Sequence, residues 1–268
     1  MKQIGFAFMA AALLLLSGCE ELENLCGISS EDLGFTEDYT RQLNAAVYIY
    51  QQTDRALRDS TLQAAGTAEI DGAMCTRTAD SIVIDFGNGV VGNDGKERRG
   101  SIRLGYSGNY ISAGSTASLI LANYYEGDQN LTGTISLANT SQGNTPIIAL
   151  TIDEFTANDK TLDGAISASW LSGFETETQP EDDVFELSGG LDLTDATTTN
   201  VFNGLFTSPL RIVNNCPYTF ESGVVTLTST VENLTGLSVD FIDGDCANLF
   251  QANVDCDGNP LQFYYPIR

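Results

Sequence analysis

From Gly66 to Arg268 one texture repeats: short runs of β-branched and aromatic residues, separated by clusters of Gly, Asn and Asp. This is the pattern of strands joined by turns. Asn93-Asp94-Gly95, Glu126-Gly127-Asp128, Asp163-Gly164, Asp243-Gly244 and Asp257-Gly258-Asn259 supply residues that tolerate the positive φ of tight turns. The runs predict strands near 81–87, 100–107, 116–125, 131–138, 145–152, 164–171, 184–193, 201–213, 222–230, 236–242, 248–254 and 260–266. No second helical pattern of useful length follows Gly66. Parallel strands need a crossover, usually a helix, so the pattern points away from βαβ units. The expected fold is mainly β, an antiparallel meander forming a curved sheet, an open barrel or a sandwich.

Ahead of the strands, residues 37–63 read as one amphipathic helix. Thr36 fits the N-cap, and Glu37 and Asp38 suit the positive first turn. Tyr39, Leu43, Ala46, Val47, Tyr50 and Leu57 recur at three- and four-residue spacing and form an apolar stripe, with Arg41, Gln52, Arg55 and Asp59 largely away from it. Such a helix packs on its own domain's sheet; the alternative is a helix that binds a partner.

The first residues carry an address. Lys2 gives a positive start, and Ile4 to Leu16 is apolar, the length of a signal-peptide core and too short to span a bilayer. Leu16-Ser17-Gly18-Cys19 resembles the bacterial lipobox, in which small residues precede a cysteine that is acylated and becomes the new N-terminus. The expected organisation is a lipoprotein signal peptide at 1–18, an acidic tether at 19–35 and a helix-plus-β domain at 36–268. The implied partner is a membrane, reached through acyl chains on Cys19, each buried CH₂ contributing about 0.8 kcal/mol. Glu20, Glu21 and Glu23 resemble the export signal that carries Bacteroidota lipoproteins to the outer face of the outer membrane; the alternatives are a solvated tether and a periplasm-facing protein.

Composition limits the chemistry. The 268 residues carry 12 Lys+Arg against 36 Asp+Glu and no His, a net charge of −24. This acid excess argues against nucleic acid as a partner, and the lack of His removes His-based triads, metal sites and pH switches. Nucleophile motifs are absent, so the expectation is a protein that is not an enzyme. A carboxylate-dependent glycoside hydrolase needs only two acids, and Asp85, Asp153, Glu154, Glu186 and Asp240 lie on or near predicted strands. No cofactor is expected except Ca²⁺. Asn253, Asp255 and Asp257 alternate before Gly258 as in the front of a calcium loop, which Asp240, Asp243 and Asp245 would join if the turns converge. The same pattern is a strand entering a hairpin turn. Glycan binding through exposed rings would use Trp170, Tyr124 and Tyr125, with Tyr264 and Tyr265, although neighbouring strand residues face opposite ways. Asp59-Ser60-Thr61 and Asp80-Ser81-Ile82 resemble the Bacteroidota O-glycosylation signal and nominate Ser60 and Ser81.

Outside the cytoplasm disulfides are expected. Beyond Cys19, five cysteines remain: Cys26, Cys75, Cys216, Cys246 and Cys256. Cys216 and Cys246 each sit beside a turn signal and are the first choice for a pair; closing that loop contributes roughly 3 kcal/mol. Cys75 with Cys256 is the second choice. One thiol is left over or pairs between molecules.

The stretch Ser81 to Gly89 echoes Leu237 to Gly244, each a strand ending in Asp and Phe before a Gly-rich turn. Duplication of a half-domain, with a boundary near 175–183, and convergent turn chemistry both account for it. As a set, the lipobox, the helix, Ile84-Asp85-Phe86-Gly87-Asn88-Gly89, Asp94-Gly95 and Arg99-Gly100-Ser101-Ile102 resemble a family of uncharacterised Bacteroidota lipoproteins. Tyr106 to Tyr110, Asn123-Tyr124-Tyr125, Leu131 to Thr134, Cys216-Pro217 leading to Ser222 to Val225, and Asp243 to Cys246 extend the likeness over most of 37–268. Similar sequences carry a Cys just after the Asp-Phe-Gly strand, where this chain has Val90-Val91-Gly92, which leaves the partner of Cys75 open. The resemblance implies a surface lipoprotein with a β-rich body and brings no activity. The expected role is structural or ligand-binding, with a glycan or a protein at the cell surface as partner.

Overall fold

The computed structural model describes residues 30–143, 145–176, 179–216, 219–231, 234–242, 246, 249–256 and 259–267. The lipobox, Cys19 and Cys26 lie outside them. The described residues form a long helix α1 (Ser30–Arg58), a short α2 (Ser60–Ala65), and then, with two short 3₁₀ turns among them, strands. These are β1 (Thr67–Ile70), β2 (Ala73–Arg77), β3 (Ser81–Val91), β4 (Glu97–Ser107), β5 (Thr116–Glu126), β6 (Gln129–Asn139) and β7 (Ile147–Ala157). There follow β8 (Lys160–Ser172), β9 (Val184–Asp195), β10 (Val201–Val213), β11 (Ser222–Ser229), β12 (Thr235–Phe241), β13 (Leu249–Cys256) and β14 (Asn259–Pro266). All fourteen pair in chain order as one antiparallel sheet, which does not close. Among the described residues, no helix is long and apolar enough to cross a membrane.

Each of the twelve predicted strands is present. The hairpin β1–β2 is an addition: Asp71 (φ 49) and Gly72 (φ 78) form a tight turn between strands of four and five residues. One predicted turn is corrected. Asp163-Gly164 lies inside β8, and the turn falls at Asn158 (φ 55) and Asp159. Asp163 instead accepts a hydrogen bond at 2.6 Å from the Glu154 amide, and Gly164 lets the β9 backbone approach, as glycines inside strands do. The stretch 175–183 is a loop with two short 3₁₀ turns between β8 and β9; these pair throughout, so the sheet runs on unbroken across the suggested boundary.

The helix differs from expectation in extent and in surroundings. It begins at Ser30, so Thr36 is an interior residue and not its cap, and 30–35 belong to the helix rather than to a tether. It breaks at Asp59, whose carboxylate caps α2 by accepting from the Leu62 amide. Every residue from 42 to 54 is buried. Since that run covers more than three turns, no face of the helix is left to solvent along it, while Glu37, Asp38, Arg41 and Arg55 outside the run are half-buried. The sheet therefore wraps α1 rather than receiving it on one face. Phe35 stacks on Phe202 of β10, Tyr50 meets Phe185 of β9 edge-on, and Arg98 of β4 lies over the Tyr48 ring. Inward strand residues such as Ile84, Leu119, Ile135, Leu150, Leu193 and Val239 complete the core around it.

Curvature comes from β-bulges, which bend a strand and tighten its twist. Register shifts occur between Arg99 and Ser101, Ile120 and Tyr124, Thr132 and Thr134, and Ile152 and Phe155. Gly100 (φ +85) shows why this needs its residue type: a Cβ there would lie 1.9 Å from the Asn123 carbonyl oxygen.

Candidate functional site

Wrapping a helix in an open sheet leaves a seam. Along it the first hairpins face the loops that follow β8 and β10, with the C-terminal half of α1 as floor. A crevice of about 350 Å³ occupies the seam, lined by Tyr48, Gln51, Gln52 and Arg55 from α1, by Asp71, Asn93 and Asp94 from the β1–β2 and β3–β4 turns, and by Glu181, Asn214, Asn215, Cys216 and Thr219 opposite. A second cavity of about 260 Å³ shares Arg55, Asp71, Asn93 and Glu181 and continues the groove past Asp59 and Glu69.

Of the three acids that line the crevice, Asp71 is held by neutral donors and Asp94 by a guanidinium, while Glu181 is in no ion pair among the described residues. Asp71 accepts from Tyr48 Oη at 2.8 Å, from Gln52 Nε2 at 3.3 Å and from the Asn93 amide at 3.2 Å. Arg98, fully buried, donates to both oxygens of Asp94 at 2.8 and 2.6 Å and pairs with Glu126 at 2.9 Å. Burial works against the Asp94 carboxylate, but the Arg98 guanidinium outweighs it and holds the acid below its ordinary range. Burial raises the Tyr48 hydroxyl against the pull of Arg98, with Asp71 adding to the rise, so it stays a proton donor. Arg55 donates to the Asn214 carbonyl at 3.0 Å, and Gln51 Nε2 to Asn214 Oδ1 at 2.9 Å. Two polar atoms of the floor are buried without a hydrogen-bond partner: Gln52 Oε1, an acceptor, and Arg55 Nε, a donor.

Behind the crevice lies a second polar cluster. Arg58 bridges Asp54 and Asp183, all three buried, and its guanidinium lies 4.5 Å from the centre of the Trp170 ring. Trp170 Nε1 donates to Asp183 at 3.0 Å, and Asn214 Nδ2 donates to the same acid at 3.4 Å. Burial pushes Asp183 up to about 6, against the opposing pull of Arg58. Asn214 thus links crevice and cluster.

The residues singled out from sequence fall elsewhere. Trp170 and Tyr124 are buried, Trp170 against Phe174 and Phe185 and Tyr124 against Phe86, so neither ring faces solvent. Tyr125 points outward beneath the Arg99 guanidinium, 4.1 Å from its ring centre. Tyr264 is exposed on β14 while Tyr265 stacks on Phe250, so the expected ring platform does not form. The alternation of neighbouring strand residues decides this. Asp85, Glu186 and Asp240 lie on β3, β9 and β12, separated by intervening strands, with Asp153 and Glu154 on β7.

The calcium-loop residues take the hairpin alternative. Asn253 and Asp255 belong to β13, where Asn253 Nδ2 donates to Ser238 at 3.2 Å and its Oδ1 accepts from Gln251 at 2.5 Å. Asp257, Asp243 and Asp245 lie outside the described residues, among which no group of three or more Cys, Asp or Glu side chains is placed to hold a metal ion.

Cys216 and Cys246 are joined, with Cα atoms 5.4 Å apart. Cys75 is a free, buried thiol. Its pairing with Cys256 is not formed, because β2 and β13 stand near opposite ends of the sheet. Ser60 is exposed at the start of α2, and Ser81 is half-buried at the start of β3, its Oγ 2.6 Å from Thr78 Oγ1. Both tripeptides have local work: Asp59 is a helix cap, and the Asp80 backbone carbonyl accepts from the Tyr106 amide.

Sequence reasoning passed over the crevice because Gln51, Gln52, Asn93 and Asn214 form no motif. The one available signal was the density of amides on a helix whose neighbours are apolar. No family model, curated protein or solved structure matches the chain.

Proposed function

We propose that this chain is a cell-envelope lipoprotein, anchored at the outer membrane through Cys19. Its wrapped-sheet body is a non-enzymatic binding module, and its ligand is a small neutral polyhydroxylated molecule such as a saccharide end. The observation that carries the ligand reading is the crevice floor. It offers amides, a tyrosine hydroxyl and paired charges, with one buried acceptor and one buried donor unpartnered. Buried polar atoms normally have partners, and leaving one without costs about 1–3 kcal/mol. The lining carries Asp71, Asp94 and Glu181 against Arg55, which disfavours an anion. Protein donors already occupy the oxygens of Asp71 and Asp94, which favours a neutral ligand over a cation, and the volume lies in the range of small-molecule sites. The acidic surface suits solubility outside the cell.

The test is a thermal-shift and calorimetric screen of the full chain against neutral, anionic and cationic saccharides. A true ligand stabilises by about 2.7 kcal/mol at a hundredfold over its Kd. Asn93→Ala and Asn215→Ala remove exposed crevice amides and should abolish the shift while leaving the unliganded Tm within a degree or two of wild type. A flat response across neutral saccharides refutes the ligand reading. For the anchor, Cys19→Ser should release the protein from membranes; equal membrane retention refutes that part.

A further inference from the structure

An open sheet has two edges, and each presents backbone N–H and C=O groups to any strand that could add to it. In this chain the edges are β1 and β14. β1 is four residues long, carries the exposed carboxylate of Glu69 and has α2 packed against it. Shortness, charge and cover are common guards of an edge. β14 has none of them. It runs for eight residues, 259–266 contain no Asp, Glu, Lys or Arg, and no described strand lies beyond it. Tyr264 on it and Leu249 on the adjoining β13 add exposed apolar surface. The net charge of −24 repels copies of the chain, but it is screened beyond about 8 Å at physiological salt.

β13 and β14 pair from Cys256 opposite Asn259 to Leu249 opposite Pro266, with two residues between the strands. A two-residue connection closes on a hydrogen-bonded pair, and along an antiparallel ladder bonded and unbonded pairs alternate. Asn259, Leu261, Phe263 and Tyr265 therefore bond to β13, while Pro260, Gln262, Tyr264 and Pro266 turn their backbone groups away from it. The prolines require the same alternation independently. Neither has an N–H to give to β13, and a strand proline belongs where its nitrogen faces outward. Both ends of the outward row thus lack a donor, and only Gln262 and Tyr264 retain one. A second copy would meet this edge antiparallel, about a two-fold axis at Phe263, with 262 opposite 264 of the copy and 260 opposite 266. The prolines remove half of the hydrogen bonds that such a pairing could make. At each end two pyrrolidine rings meet where N–H groups would have to point at carbonyls.

We infer that Pro260 and Pro266 close the β14 edge to strand addition by a second copy of this chain, and that the folded body stays unpaired there because of them.

The test uses the full chain in excess detergent. In the wild type, hydrogen exchange should find the Gln262 and Tyr264 amides exchanging freely beside protected Leu261 and Phe263 amides. Light scattering after size exclusion, which separates protein mass from detergent, should give a monomer. Pro260→Thr/Pro266→Thr restores both donors without touching the bonds to β13. It should tighten self-association by at least about a hundredfold, from restored hydrogen bonds of ordinary strength, and protect Gln262 and Tyr264 in the associated form. Adding Gln262→Pro takes a central donor away again and should return the monomer. Should the double variant not fold, Pro266→Thr alone, at the last residue of the strand, restores half of the missing donors and is read in the same way. A wild type whose Gln262 and Tyr264 amides are already protected overturns the inference. So does a folded variant that stays monomeric, or one that associates while those two amides still exchange freely.

Discussion

Replacing Arg58 by Met keeps the length of the side chain and removes its charge. In the native fold one guanidinium serves two carboxylates: Arg58 is 3% exposed, Asp54 1% and Asp183 0%. Burial raises Asp183 to about 6 despite Arg58 beside it, and the nearby Asp54 adds to the rise. Arg58→Met leaves both acids buried with no cation, and breaking a buried pair from one side costs about 3–5 kcal/mol at pH 7. Acid should return much of it. A carboxyl whose folded pKa stands above its unfolded value near 3.8 stabilises the fold when protonated. That contribution is full below the unfolded value and is lost as pH rises through the folded one. With the guanidinium gone, Asp183 is raised further, so the variant's deficit shrinks between pH 7 and about 4.5. Trp170 is the only tryptophan and sits in the cluster, so its fluorescence in urea reports unfolding directly. Comparing variant with wild type at each pH cancels the relief of the −24 net charge common to both. A deficit under about 1 kcal/mol at pH 7, or one unchanged by acid, refutes the reasoning.

Three further outcomes follow from particular contacts. Gly100→Ala forces a Cβ to 1.9 Å from the Asn123 oxygen at φ +85, and urea denaturation should show a loss of about 2 kcal/mol or more. The double variant Cys216→Ser/Cys246→Ser should lower stability by about 3 kcal/mol in the same assay, with reductant shifting the wild type and not the variant along this bond. Tyr39→Phe removes a buried hydroxyl that donates to the Leu191 carbonyl at 3.1 Å and lies against Gly204; calorimetry should register a loss of about 1 kcal/mol.

Strand reading succeeded where side chains alternate between core and water. Sequences such as Ser81-Ile82-Val83-Ile84 and Ala117-Ser118-Leu119 report the face each residue occupies, and turn pairs mark the ends. It slipped where Gly serves a bulge rather than a turn, as at Gly164, since both uses need the same lack of Cβ. It passed over β1 and β2, too short to display a period. Among site residues, the Cys216–Cys246 pair was legible from its turn signals. Trp170 and Tyr124 were misplaced because composition says that a ring exists and not which way it points.

The amino-acid order alone determined that the body is an antiparallel meander behind one N-terminal helix, because periodicity and turn chemistry are local and survive without tertiary context. Only the tertiary structure decided that the sheet curls around the helix. A stripe of apolar residues predicts one buried face, yet Gln42, Gln51 and Arg58 are buried too. Their partners Lys160, Asn214 and Asp183 stand 118, 163 and 125 residues away along the chain. A polar residue's right to be buried rests on a partner that chain distance hides, and the seam crevice is made of such residues.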